Sequence, residues 1–325
     1  MTDLDRRLAE LSPAKRAVFE RLVKRQGDDD GKTGAAPAAD EHLVLDTSSP
    51  SEPAALKASY KRFYDGVSLQ LAGNVYGQFS YFLNYGYVPT GEPELAAVPL
   101  PEHYINKNSV KLVLELIADC PVDGKRVLDV GCGRGGTVHV FTTFFQPATV
   151  TGLDLSTKAI EFCRQAHKHP HVSFHEGDAE NLPFADGAFD VVTNVESSHS
   201  YPNIHHFYSA VGRVLAPGGY FLYTDALSSQ QFTSAIAYLD HIGLTLERER
   251  DITRNVLLSC DSIATTRVQA FDQRNDQNLM QNFLATPGSQ VYEEMRSGRW
   301  SYRILTLRKR PSTPRTEGGS NDERG

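Results

Sequence analysis

Four short clusters in this chain have the residue types and spacing to do chemistry. In the first, Gly131, Cys132, Gly133 and Gly136 follow the apolar run Val127-Leu128-Asp129-Val130 and open a helical pattern. A glycine turn between strand and helix leaves backbone N–H groups bare. The helix adds its positive end, so the mouth of the turn is a cradle for a small anionic group. Gly131, Gly133 and Gly136 also fit a dinucleotide fingerprint loosely, and a turn of this kind can simply pack helix on strand. The second cluster is Thr151-Gly152-Leu153-Asp154-Leu155-Ser156, where Asp154, 25 residues past Asp129, is placed to accept both hydroxyls of a ribose. The third is Gly177-Asp178-Ala179, followed by Asn181-Leu182-Pro183-Phe184. The fourth, Asn194-Val195-Glu196-Ser197-Ser198-His199, sets a carboxylate three residues before an imidazole.

These clusters need a scaffold that brings them to one edge. The hydrophobic pattern predicts strands over 125–130, 149–154, 172–175, 188–195, 219–224 and 244–250. Helices are predicted over 135–145, 156–168, 203–215 and 229–241. Strands alternating with helices imply a parallel sheet covered on both faces. Ligands of such sheets bind beyond the carboxyl ends of the strands. Each cluster sits at one of those ends, and Thr224-Asp225 ends a fifth strand. Residues 253–285 read as a helical insert, and Trp300 to Leu307 alternates like a final strand.

Outside this body the chain divides by composition. Residues 1–26 read as two short helices with one apolar stripe (Leu4, Leu8, Leu11, Val18, Leu22), expected to serve as a docking segment. Residues 27–53, rich in Asp, Ala, Pro and Ser, read as a flexible linker. Residues 54–118 form a helical, aromatic-rich region expected to act as a lid, 119–310 the catalytic core, and 311–325 a polar, disordered tail.

Composition excludes several classes. A net charge of −7 gives no reason to expect nucleic acid as partner. No apolar run approaches the ~18 residues of a membrane span. The acidic opening Met1-Thr2-Asp3 is not a secretory signal. Cys120, Cys132, Cys163 and Cys260 show no C-x-x-C spacing, which implies reduced thiols and a cytoplasmic setting. Neither His167, His169 and His171 nor His205-His206 has a convincing ligand spacing, so no metal is expected and these histidines are assigned to the surface.

The glycine turn, Gly152-Leu153-Asp154-Leu155-Ser156, the run Gly177 to Phe184, Phe189-Asp190-Val191-Val192 and Leu215-Ala216-Pro217-Gly218-Gly219 resemble, in order and spacing, the class I S-adenosylmethionine-dependent methyltransferases. Glu196 to Pro202, Asp251 to Val256, and the closing Tyr292, Gly298, Trp300 and Tyr302 further resemble phthiotriol dimycocerosate methyltransferase-like enzymes. They are also similar to tailoring O-methyltransferases of polyketide and nonribosomal peptide pathways. Leu11 to Arg16 is similar to segments that precede domains in the megasynthases of those pathways.

The resemblance implies a Rossmann-like α/β fold with seven strands, helices on both faces, an N-terminal helical lid and a helical insert before the last strand. It implies S-adenosylmethionine as the methyl donor. Gly131, Cys132 and Gly133 would hold its carboxylate end and Asp129 would face its ammonium. Asp154 would take the ribose, and Asp178 and Ala179 the adenine edge, with Leu155 and Leu182 as adenine walls. Asn194 and Tyr85 complete the expected donor site. An alcohol acceptor must lose its proton as the new bond forms, and histidine has the resting pKa for that task. His199 is the expected general base, with Glu196 orienting its ring; Asp225 and Asn255 are candidates for the pocket rim. The expected acceptor is a hydroxyl or enol of a polyketide, peptide or lipid-like metabolite, free or bound to a carrier protein. The alternatives are a carbon or nitrogen methyltransferase of a sterol- or quinone-like molecule, and a donor-binding scaffold without activity.

Overall fold

A computed structural model describes residues 43–46, 52–72, 80–91, 100, 106–118, 120–268, 270–271 and 275–311. The docking segment expected at 1–26 lies outside these residues, as do most of the linker and almost all of the tail.

Seven strands form one sheet: β1 (Arg126–Val130), β2 (Thr149–Asp154), β3 (Val172–Glu176), β4 (Phe189–Val195), β5 (Leu215–Ser228), β6 (Leu244–Asp251) and β7 (Trp300–Lys309). Their order is β3-β2-β1-β4-β5-β7-β6. The strand–helix alternation accounts for the parallel strands, while the final strand β7 runs antiparallel to both β5 and β6. A crossover helix forces a strand to run parallel to its predecessor. β7 follows the long insert instead and slots between two strands already in place.

Period-two burial explains why these segments are strands. Val127, Val191 and Leu222 enter the core on one face, while their neighbours Leu128, Val192 and Phe221 enter the core on the other. Strands buried on both sides need helices above and below. These are α2 (Lys107–Ile117), α3 (Gly136–Phe144), α4 (Thr157–Ala166), α5 (Ile204–Val214) and α6 (Ser229–His241). Strand order reverses between β1 and β4, which makes their carboxyl ends the natural crevice.

A third, smaller core stands apart from the sheet. α1 (Pro53–Ala72) buries Phe63, Val67 and Leu71, spaced four apart along one stripe. They pack against Met280 and Leu284 of the insert and against Leu43, which lies within the expected linker. The Leu43 N–H donates to Asn275 Oδ1 at 3.0 Å and the Asp46 N–H to Ser59 Oγ at 2.8 Å, so residues 43–46 are docked rather than loose. The insert is not one continuous helix but α7 (Thr253–Val268) and α8 (Gln277–Phe283), followed by α9 (Gln290–Arg296). No helix among the described residues is long and apolar enough to cross a membrane.

Candidate active site

A cavity of about 400 Å³ opens at the β1/β4 reversal, between the sheet and the small α1 core. The glycine turn forms its floor. Gly131, Gly133 and Gly135 have φ of 71°, 51° and 82°. A Cβ on Gly131 would press on the Ser197 hydroxyl and come within 2.6 Å of Tyr201 Oη, so the turn accepts no side chain there. At Gly133 a Cβ would meet only Leu83 of the cavity wall, at 3.6 Å, so its φ rather than crowding disfavours a side chain.

Two of the expected donor acids line this floor. Asp154, ending β2, accepts from the Gly133 N–H through Oδ2 and the Ser156 N–H through Oδ1, each at 2.8 Å. Burial pushes its pKa up against those backbone bonds. Asp178 lies past β3 beside Ala179; its Oδ1 accepts from the Glu180 N–H at 2.9 Å. Lys57 of α1 pairs with Asp178 and Glu180, both at 2.7 Å, joining α1 to the segment past β3 at this end of the cavity. Leu155, Cys132 and Tyr85 also stand in the wall.

Three expected donor residues lie elsewhere. Asp129 is 1% exposed and sits beneath the turn, its Oδ1 accepting from Thr193 Oγ1 at 2.7 Å. Burial lifts its pKa to about 7; the Thr193 bond opposes this and the Asp154 charge adds to it. Asn194 is a brace rather than a wall. Its Nδ2 lies within hydrogen-bond distance of Val130 O, Ser197 Oγ and Tyr201 Oη, because β4 points it under the turn. Leu182 is consumed by the core beneath α5. Among the described residues, Asp129 Oδ2 and Asn194 Oδ1 are buried without a hydrogen-bond partner, two spare acceptors just below the floor.

His199 occupies a single 3-10 turn, Ser198–Ser200, immediately past β4. Its side chain is 37% exposed, toward the cavity. The expected Glu196–His199 pair is not what holds the ring. His199 Nδ1 lies 2.9 Å from Asp225 Oδ1, and the His199 N–H donates to Asp225 Oδ2 at 3.1 Å. Glu196 Oε2 accepts instead from Tyr302 Oη at 2.6 Å and the Tyr85 N–H at 2.9 Å. The reason is local: Glu196 takes φ 53°, an uncommon left-handed conformation that turns its carboxylate toward β7. Burial pushes the His199 pKa down, but the charge and hydrogen bond of Asp225, helped at a distance by the Glu196 charge, leave it above the ordinary histidine value. Asp225, 0% exposed, stays below the usual carboxylate range: its burial is outweighed by His199, the Ser198 hydroxyl and the Ala226 N–H.

Reading residue by residue left Asp225 as a rim candidate. The β4–β5 register pairs Val195 with Thr224, so Asp225 necessarily lies beside the turn carrying His199. That pairing was the signal. Asn255 is not in the wall; its Nδ2 donates to Val88 O and Thr90 Oγ1. His167 is also corrected. It is buried, with Nε2 2.9 Å from Arg134 O, and it stiffens the glycine turn from behind.

The other half of the cavity is apolar. Phe63 and Tyr64 of α1, Leu279 and Phe283 of α8, Val291 of α9 and Trp300 of β7 face it. The Gly131 and Cys132 N–H groups donate to Leu153 O and the Gly133 N–H to Asp154, so the turn does not leave these donors bare as its glycines suggest. A glycine floor, a strand-end acid for a diol and an apolar roof together suit S-adenosylmethionine.

A family profile described as a methyltransferase domain matches residues 128–223. A fatty-acid O-methyltransferase from Mycolicibacterium smegmatis is 39% identical over 231 residues, covering 70% of this chain and 83% of that one. The chain belongs to the S-adenosylmethionine-dependent methyltransferases. A phthiotriol/phenolphthiotriol dimycocerosates methyltransferase from Mycobacterium tuberculosis is 34% identical, covering 70% of this chain and 85% of that one. Among solved structures, the geranyl diphosphate C-methyltransferase of Streptomyces coelicolor shares the fold, with TM-score 0.58 and 19% identity, covering 80% of this chain and 99% of that one. The cyclase SpnF shares it too, with TM-score 0.61 and 18% identity, covering 86% and 98%. The methyltransferase is therefore an enzyme with a class I sheet that uses S-adenosylmethionine.

Proposed function

We propose that this methyltransferase transfers a methyl group to the hydroxyl or enol oxygen of an apolar, lipid-like or polyketide-derived acceptor, with His199 as general base and Asp225 holding it. The observation that carries this reading is the 2.9 Å contact from His199 Nδ1 to Asp225 Oδ1, placed where a largely apolar cavity meets the donor floor. Bound S-adenosylmethionine supplies an electrophilic methyl group on a sulfonium. Asp154 would hold its ribose, the turn at Gly131 to Gly133 would lie against its amino-acid end, and Asp178 with Ala179 would meet its adenine. Asp225 fixes the Nδ1–H, leaving Nε2 free to take the acceptor's proton as the carbon–oxygen bond forms. The carboxylate then balances the imidazolium. Much of the remaining acceleration comes from holding both partners in line. A fatty acid, as in the name of the Mycolicibacterium smegmatis relative, carries an apolar chain, which suits Phe63, Tyr64, Phe283 and Trp300. A carrier-bound acceptor, presented through residues 1–26, belongs to the same reading.

A carboxylate acceptor, as in the fatty-acid relative's name, would need no base and would instead lean on a cationic His199. Glu196 and Asp225 at this end of the cavity repel such an anion, so the hydroxyl is favoured. His199→Ala distinguishes the two. With a hydroxyl acceptor kcat should fall about 10²–10⁴-fold, while the donor Kd by calorimetry stays within twofold or so. A variant that turns over hydroxyl acceptors at near the parent rate removes the base from the proposal. Mass spectrometry with methyl-labelled donor then locates the label on oxygen, nitrogen or carbon.

A further inference from the structure

Behind the His199–Asp225 pair lies a buried run of hydroxyls that the transfer reaction does not itself require. Ser198 Oγ is 2.6 Å from Asp225 Oδ2, Tyr223 Oη is 2.6 Å from Ser198 Oγ, and Tyr208 Oη is 3.4 Å from Tyr223 Oη. Ser198 is 3% exposed, Tyr223 0% and Tyr208 1%. We propose that Ser198, Tyr223 and Tyr208 are positioning residues, a one-way hydroxyl chain that keeps Asp225 a pure acceptor and so sets both the tautomer and the basicity of His199. The proposal rests on the reading of His199 as the base.

The direction of the chain follows from what each group can do. An ionised carboxylate only accepts, so Ser198 must spend its one hydrogen on Asp225. Its lone pairs are then what Tyr223 meets, and Tyr223 must donate to Ser198. Tyr208 in turn donates to Tyr223. Every hydrogen points toward the carboxylate, and each bond polarises the next. Asp225 also receives the Ala226 N–H at 2.8 Å and the two His199 donors, so donors from four groups or positions occupy its lone pairs. Protonating Asp225 would break one of these bonds. The carboxylate therefore stays ionised although buried, Nδ1 of His199 must carry the ring proton, and the neutral ring presents a bare Nε2.

The surrounding charges are few and identifiable. Glu196, just past β4, adds its charge to the His199 side. Asp225 bears on Tyr201 past β4, Tyr208 of α5, Tyr223 of β5, Tyr302 of β7 and Tyr85 in the segment before α2. Burial lifts the pKa of each of these phenols, so they remain neutral donors through the working pH range. Tyr64 of α1 lies near as well, its hydroxyl 3.3 Å from Ser200 Oγ.

Taking a donor away from Asp225 concentrates its charge and makes it the stronger partner for the imidazolium. The His199 titration should therefore move up in pH. We expect Ser198→Ala to raise it by about half to one unit, which is roughly a three- to tenfold loss of rate at a fixed pH below the plateau. Tyr223→Phe should move it the same way by less, and Ser198→Thr, which keeps the hydroxyl, should restore it. The experiment is an NMR titration of the His199 ring in each folded variant, paired with kcat against pH at saturating donor. An upward shift in Ser198→Ala, smaller in Tyr223→Phe and absent in Ser198→Thr, supports the chain. An unchanged His199 titration in Tyr223→Phe and in either folded Ser198→Ala or, if that variant does not fold, a Ser198→Cys replacement overturns it. If the ring titration shifts while the rate profile does not follow, the chain stands and the general-base reading falls.

Discussion

The two halves of the cavity, one proposed for the donor and the other for the acceptor, are built on different principles. The donor half is made by strand ends of one sheet, each acid within a few residues of the glycine or helix start it serves. Asp154 binds the Gly133 and Ser156 N–H groups beside it in the crevice. The acceptor half is assembled from pieces far apart in the chain: α1, the segment at 81–85, α8, α9 and β7. Its two acids do different work. Asp225 is fully buried and engages His199, whereas Glu196 ties Tyr302 to the Tyr85 backbone and so joins β7 to the segment before α2. A sheet can keep the donor site while its insertions change the acceptor.

The largest test of the division is a crossed pair of isosteric changes. Asp225→Asn should lower kcat by about a hundredfold or more, because the amide no longer fixes the Nδ1–H or balances the imidazolium. Donor Kd should barely move. Asp154→Asn should do the reverse, weakening donor binding about tenfold or more while kcat at saturating donor stays within a few-fold. Calorimetry for the donor and single-turnover rates for the transfer separate the two effects. If both variants fall equally in both measurements, the halves are one unit and the comparison fails.

The same division decides what the sequence could reveal. The placement of Asp154, Asp178 and the turn at 131–133 on the cavity wall is legible because each cluster is contiguous and its strand end follows from a local pattern. The strand limits matched within a few residues for the same reason; β5, which extends back through Leu215, is the exception. Asp225 required the register of β4 on β5, a property of two strands together. Lys57 reaching Asp178 and Glu180 spans more than a hundred residues, and no periodicity encodes it. Glu196 was misassigned because its left-handed φ reverses the direction that three-residue spacing suggests. Asn194 and Leu182 were misassigned because strand-end proximity does not say whether a side chain points into the crevice or beneath it.

A smaller effect should come from Asp129, which sits in the donor half but under its floor. Its folded pKa is about 7 against an ordinary 3.8, so the folded protein binds that proton more tightly than the unfolded chain does. Stability of the ligand-free enzyme should therefore fall as pH rises from about 4 to about 7. The loss is complete above the folded value, and Asp129→Asn should remove this part of the slope. If the donor's ammonium answers the ionised carboxylate, donor affinity should rise through the same upper limit, and the variant should flatten that rise. Thermal unfolding from pH 5 to 8, with and without donor, reads both. A pH-independent difference between parent and variant would mean that Asp129 is only a structural acceptor for Thr193.

The smallest effect tests whether α1 belongs to the donor half as well as to the acceptor half. Lys57 is partly exposed, and its pairs with Asp178 and Glu180 bridge α1 to the turn past β3. Burial lowers the Lys57 pKa, yet the hydrogen bonds and charges of the two carboxylates leave it raised, so the ammonium stays charged at working pH. Partly exposed pairs contribute roughly 1 kcal/mol or less. Glu180 would keep its bonds from the Asn203 backbone and side chain after Lys57→Met. The donor KM should therefore rise only about two- to fivefold, kcat should hold, and the parent enzyme should lose the same factor in high salt while the variant loses little. If kcat falls and KM does not, the clasp aligns the acceptor, and α1 is then part of the transfer machinery rather than a cover for the donor.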